Sequence, residues 1–93
     1  MRLTSREEFA LKVLVEVAHN KNDLHESFAI VEVGGHPRGY VITPLPEGIE
    51  LLLEDLEGLD NKELLEHGIA RGHKYFRITK AGFGYYDRYL KPQ

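Results

Sequence analysis

The sequence has no cysteine, which excludes a disulfide framework, a thiolate zinc site and a cysteine nucleophile. It is also short of long apolar runs. Apart from Phe28 to Val31 none exceeds a triplet such as Leu51 to Leu53, whereas a membrane-spanning helix needs ~18 apolar residues in succession. The first residues lack the apolar stretch of a secretory signal, so the expectation is a cytoplasmic protein with no membrane partner. The histidines, His19, His25, His36, His67 and His73, are scattered and show no H-E-x-x-H or comparable ligand spacing. Gly34-Gly35 followed by His36-Pro37 has neither the G-x-G-x-x-G pattern nor the Lys-Ser/Thr ending of a phosphate-binding loop. No spacing pairs a nucleophile with a base, and the expectation is a non-enzyme with no metal or cofactor.

What is present is the composition of an ordinary globular domain, 93 residues with 42% hydrophobic and 29% charged. Folding at this size buries somewhat over ~60% of the unfolded chain's surface, enough for one modest core. The net charge of −3 conceals an uneven distribution. Residues 47–66 hold eight carboxylates against Lys62 alone, while residues 67–93 hold six Lys and Arg against Asp87. A basic block can face a polyanion, although such blocks on small domains are often only solvated surface.

Apolar spacing predicts a first helix from Ser5 to His19, with Thr4 or Ser5 as N-cap, Glu7 or Glu8 closing a capping box, and the polar cluster 20–23 as its end. Residues 27–43 read as a hairpin, with Phe28, Ile30, Val31 and Val33 followed by a Gly/Pro loop and then Tyr40 to Thr43. A helix over Asp23 to Val33 is the alternative. Pro46 then opens an amphipathic helix with Ile49, Leu52, Leu53 and Leu56 on one stripe and Glu47, Glu50, Glu54 and Glu57 on the other, ended by Gly58. Acids at helical spacing spread along a face and do not converge on one cation. Asp60 starts a short helix carrying Leu64 and Leu65 and closed by Gly68. A second hairpin follows, turning at Gly72-His73 with Phe76 and Ile78 on one face and Tyr75 and Arg77 on the other. Thr79 caps a last helix over Lys80 to Leu90, ended before Pro92.

Two stretches carry a resemblance. Leu64-Leu65-Glu66-His67-Gly68-Ile69 resembles the leucine-rich end of a recognition helix entering a wing strand. Tyr75-Phe76-Arg77-Ile78-Thr79-Lys80-Ala81-Gly82 resembles a second wing strand running into a Thr-x-x-Gly helix start. Together they make residues 46–90 similar to the winged helix-turn-helix family, which implies an α+β fold with one winged-helix domain over 1–93; the β-hairpin read over residues 27–43, between the first helix and the helix-turn-helix, is extra to that family's pattern. The resemblance implies binding of double-stranded DNA, with a role in transcriptional regulation and a homodimer through the first and last helices. The recognition helix is then Asn61 to His67 or, in the other registration, Glu47 to Glu57. The candidate contacts are Asn61, Lys62, Arg71, His73, Lys74, Tyr75 and Arg77. The alternative function is a protein-interaction module whose acidic face, residues 47–66 with Glu47, Glu50, Glu54 and Glu57, docks a basic protein partner.

Overall fold

A capping box starts the first helix. In the computed structural model, which describes residues 2–92, the Thr4 hydroxyl accepts a hydrogen bond from the Glu7 amide at 3.0 Å and the Glu7 carboxylate accepts one from the Thr4 amide at 2.9 Å. Two donors of the first turn are thereby satisfied. Helix α1 (Ser5–Asn20) buries Ala10, Leu11, Leu14, Val15, Val17 and Ala18. It ends where Asn22 adopts a φ of 54° and the Asp23 amide reaches back to the Ala18 carbonyl at 2.9 Å, the closure that a left-handed residue permits.

Residues 27–43 form strands β1 (Ser27–Glu32) and β2 (Tyr40–Thr43), not a helix. With β3 (Leu65–Ala70) and β4 (His73–Ile78) they make an antiparallel sheet of order β2-β1-β4-β3. The fold is therefore α+β, with three helices and four strands among the described residues. Side-chain alternation gives the sheet two unlike faces. Phe28, Ile42, Leu65, Phe76 and Ile78 point into the core, where Phe28 and Phe76 are fully buried. Each buried phenylalanine contributes roughly 2–3 kcal/mol of transfer free energy. The helices supply the rest of that single cluster, through Leu11, Leu14, Leu56, Leu59 and Tyr86.

The segment 44–64 departs from the expectation. Residues 44–52 contain no helix. Pro46 to Ile49 instead close a turn, with the Ile49 amide 3.1 Å from the Pro46 carbonyl and Gly48 at φ 82°. A right-handed helix cannot pass through that backbone. Helix α2 starts only at Leu53 and ends at Asn61, and the Leu53 amide is satisfied from another element, the Tyr40 hydroxyl at 2.9 Å. Gly58 lies inside α2 and does not end it. A Cβ there would strike the Glu7 carboxylate, so this glycine serves the close approach of α2 to α1. The terminator is Glu63 at φ 64°, with its amide on Asp60 at 2.9 Å and the Leu64 amide on Leu59 at 3.0 Å. That is a Schellman closure made without glycine.

Asp60 consequently opens no second helix, and Asn61 to His67 is not a recognition helix: Leu65 to His67 belong to β3. The expected pair of helices joined by a turn is reduced to α2 alone. Nor do Glu47, Glu50, Glu54 and Glu57 share a helix face, because the first two precede α2.

After β4 the Thr79 hydroxyl accepts from the Gly82 amide at 3.0 Å and donates to the Glu63 carbonyl at 2.7 Å. Helix α3 (Lys80–Tyr85) continues as a π turn over Tyr86–Leu90. It packs on α1 within the chain: the Phe83 ring stacks 6.0 Å from His19, and the Tyr86 hydroxyl meets Glu16 at 3.3 Å. The first and last helices thus meet within the chain, and the large apolar residues they leave exposed are Phe9 and Tyr89.

Two substitutions test this account of the backbone. A Cβ at Gly82 would collide with the Leu64 main-chain carbonyl, which cannot yield as a side chain can. Gly82→Ala is expected to lower unfolding free energy by about 3 kcal/mol in urea titration, the range of overpacking damage. Glu63→Gly relieves the left-handed strain and is expected to raise it by about 1 kcal/mol. A neutral result at either position would contradict the geometry assigned to it.

Candidate nucleic-acid interface

The candidate contact residues divide between the two sides of the sheet. On β4, His73, Tyr75 and Arg77 alternate with the inward residues Lys74, Phe76 and Ile78. They lie on the face turned away from the helices, and Arg71 sits beside it in the β3–β4 turn. Arg71 and Gly72 have φ of 54° and 78°, the two successive positive values of a type I′ hairpin. Asn-Gly is the favoured pair for that turn, and arginine in the first position costs free energy. Arg71 and His73 are exposed.

Tyr75 is held flat by its neighbours. Directly across from it on β3 stands Gly68, where a Cβ would collide with the phenol end of the ring. On β1 the partner is Ala29, which in turn pairs with Thr43 on β2. The phenol end of Tyr75 therefore lies over Gly68, and small residues flank it on the β1 and β2 side. Arg77 steadies it, with Nη2 donating to the Tyr75 hydroxyl at 3.1 Å and the guanidinium carbon 5.2 Å from the ring centroid. The Nε of Arg77 is buried without a partner. Ala29, Val31, Val41 and Tyr75 are outside the core cluster, and no helix covers them.

The remaining candidates are committed elsewhere. Lys74 faces the helices, its ammonium 3.6 Å from Glu57 and 5.2 Å from the Phe76 ring centroid. Lys62, half-buried at the end of α2, gives its ammonium to the buried Glu7 carboxylate at 2.5 Å. Lys62 and Lys74 are thus each engaged with a carboxylate of a helix, with both side chains still partly exposed. Asn61 is exposed on the last residue of α2, away from the β4 group. The acidic set is partly neutralised too. Glu50 meets His36 and Arg38 at 3.6 Å each, Glu54 meets Arg6 at 3.3 Å, and Glu57 meets Lys74. In the basic C-terminal part of the chain, Arg71, Lys80 and Arg88 are exposed cations with no ion-pair partner among the described residues.

Burial shapes the titrations around this frame. Burial alone would raise the Glu7 carboxyl, but hydrogen bonds from Lys62 and the Thr4 amide, with the Lys62 charge, hold it below its ordinary 4.5. Burial, reinforced by Glu8 and Glu16, pushes the Tyr85 and Tyr86 phenols upward, so both remain neutral donors.

No protein-family model matches the chain, and no curated protein or solved structure is significantly similar to it.

The Glu7 pair has a pH signature. Its carboxyl titrates lower in the folded than in the unfolded chain, so its contribution is present above the ordinary value of 4.5 and fades as the pH falls below it. Glu7→Gln should cost about 2 kcal/mol at pH ~7, the worth of hydrogen bonds to a charged group, and distinctly less at pH ~3. Denaturant midpoints across that range measure it, and an equal loss at both ends would remove the ion pair as the cause.

Proposed function

We propose that this chain is a nucleic-acid-binding protein of winged-helix type in which the β3–β4 hairpin, acting as the wing, and the helix-free face of the sheet make the contact. The observation that carries the reading is the convergence of Arg71, His73, Tyr75 and Arg77 on that one open face. Cations supply the phosphate contacts that dominate nucleic-acid affinity, by displacing condensed counterions. Phosphate contacts then fix position, while planar side chains engage bases.

Arg71 adds support of a separate kind. A turn of this geometry prefers asparagine or glycine at its first inner position, and a strained residue retained in a tight turn is explained when its side chain has a function of its own. Helix α2 is poorly suited to a groove. Its exposed positions include Glu54 and Glu57, which phosphates would repel, and its terminal lysine is bound to Glu7. A docking role for the acidic residues has less support, since Glu50, Glu54 and Glu57 are already paired within the chain.

Fluorescence anisotropy with a random-sequence duplex and with one of its strands, read at about 50 and 200 mM salt, tests the reading. Affinity for at least one should fall steeply with salt. Arg71→Asn should reduce the slope of log affinity against log salt by about 0.7–0.9, one phosphate contact, while stabilising the fold by about 1 kcal/mol. Absence of binding to both at the lower salt would sink the proposal.

A further inference from the structure

Resting on the nucleic-acid reading above, we infer that the ligand of the open face is a single strand with unpaired bases, not a duplex. His73, Tyr75 and Arg77 occupy alternate positions of one strand, so their Cα atoms are roughly 6.7 Å apart, while the Arg77 guanidinium leans onto Tyr75, 5.2 Å from its ring centroid. All three are planar groups on which a base can stack. Bases within a duplex follow one another at about 3.4 Å. Each is covered on both faces by its neighbours and offers none to a side chain, whereas an extended strand with splayed bases does.

The surroundings fit the same ligand. The Tyr75 row consists of Gly68, Ala29 and Thr43, residues too small to project into a groove and low enough to admit a base lying flat. Val31 pairs with Val41 beside that row, giving apolar surface for base or sugar. Among the strand residues of this face the only carboxylate is Glu66, opposite Arg77. Arg71 stands at the end of the array, where it can take a phosphate. Sheets of four strands bind unpaired bases in this manner, by stacking on aromatic side chains of the open face. A duplex, by contrast, is read by an element that enters a groove, and α2 with Glu54 and Glu57 is unfit for that.

The experiment compares labelled oligonucleotides of about twelve nucleotides, within the range of single-strand sites, as single strand and as duplex, each in DNA and RNA form. The expected result is at least a tenfold preference for single strand, with the tighter of the DNA and RNA strands identifying which the protein takes. Tyr75→Leu keeps an apolar cover over Gly68 but removes the π face, and should weaken single-strand binding about 5- to 150-fold, the worth of one stacked base. Tyr75→Phe should stay within about threefold, since stacking survives loss of the hydroxyl. Exposed His73 offers an independent variant, His73→Ala, which should weaken the single strand by about fivefold or more without disturbing the fold. Equal or tighter duplex binding, or no effect of both Tyr75→Leu and His73→Ala in folded protein, would overturn the inference while leaving phosphate contact through Arg71 intact. Loss of binding to every oligonucleotide would overturn the parent reading and this one with it.

Discussion

A sheet whose strands alternate large apolar with small or polar side chains can support only one core, and that constraint organises the molecule. Phe28, Ile42, Leu65, Phe76 and Ile78 all turn to one side. The three helices must cover that side, because leaving such residues in water would forfeit the main favourable term of folding. No apolar helix face remains for the other side. It is left bare by the described elements, which make one layer of strands and one of helices. The same alternation that builds the core therefore also produces the open surface on which His73, Tyr75 and Arg77 stand.

Much of this is legible in the sequence. The capping box of α1, both hairpins and the Thr79-capped last helix follow from local chemistry acting within a few residues. The middle resists such reading because glycine signals several different things. Gly48 supplies a left-handed turn, whereas Gly58 permits two helices to touch and is not the helix cap that the spacing suggests. Conversely α2 is ended by Glu63, a residue with no cap signature, whereas α1 is ended by Asn22, which advertises its tolerance of positive φ. Helix ends are thus readable when the terminating residue prefers its conformation and opaque when tertiary structure imposes it. At Glu63 the imposing partner is Thr79, whose hydroxyl holds the Glu63 carbonyl from sixteen positions away.

The candidate site is half legible for a related reason. Alternation places Tyr75 and Arg77 on a face opposite Phe76, and the structure keeps them there. Alternation also puts Lys74 on the inner side, but its commitment to Glu57 joins elements far apart in the sequence, as does that of Lys62 to Glu7. No tally of charge by segment can register such pairs. The acidic segment engages part of the basic one, and among the cations left unpaired Arg71 and Arg77 have their location at the open sheet face.

That location decides whether an acidic protein can attract a polyanion at all. The chain carries a net charge of −3, and taken as a point charge it would be repelled. The relevant comparison is between the size of the molecule and the reach of its charges. Its shortest dimensions are 25 and 24 Å, whereas the screening length at physiological ionic strength is about 8 Å. Carboxylates such as Glu54 on the helix side are then separated from a ligand on the open sheet face by more than one screening length and contribute little there. A phosphate approaching that face responds to Arg71 and Arg77 against Glu66. At ionic strength near 0.01 M the screening length grows to about 30 Å, the whole molecule is felt, and the distant carboxylates oppose binding again. The isoelectric point is a property of the whole chain, and for a two-faced molecule of this size it does not determine what either face can bind.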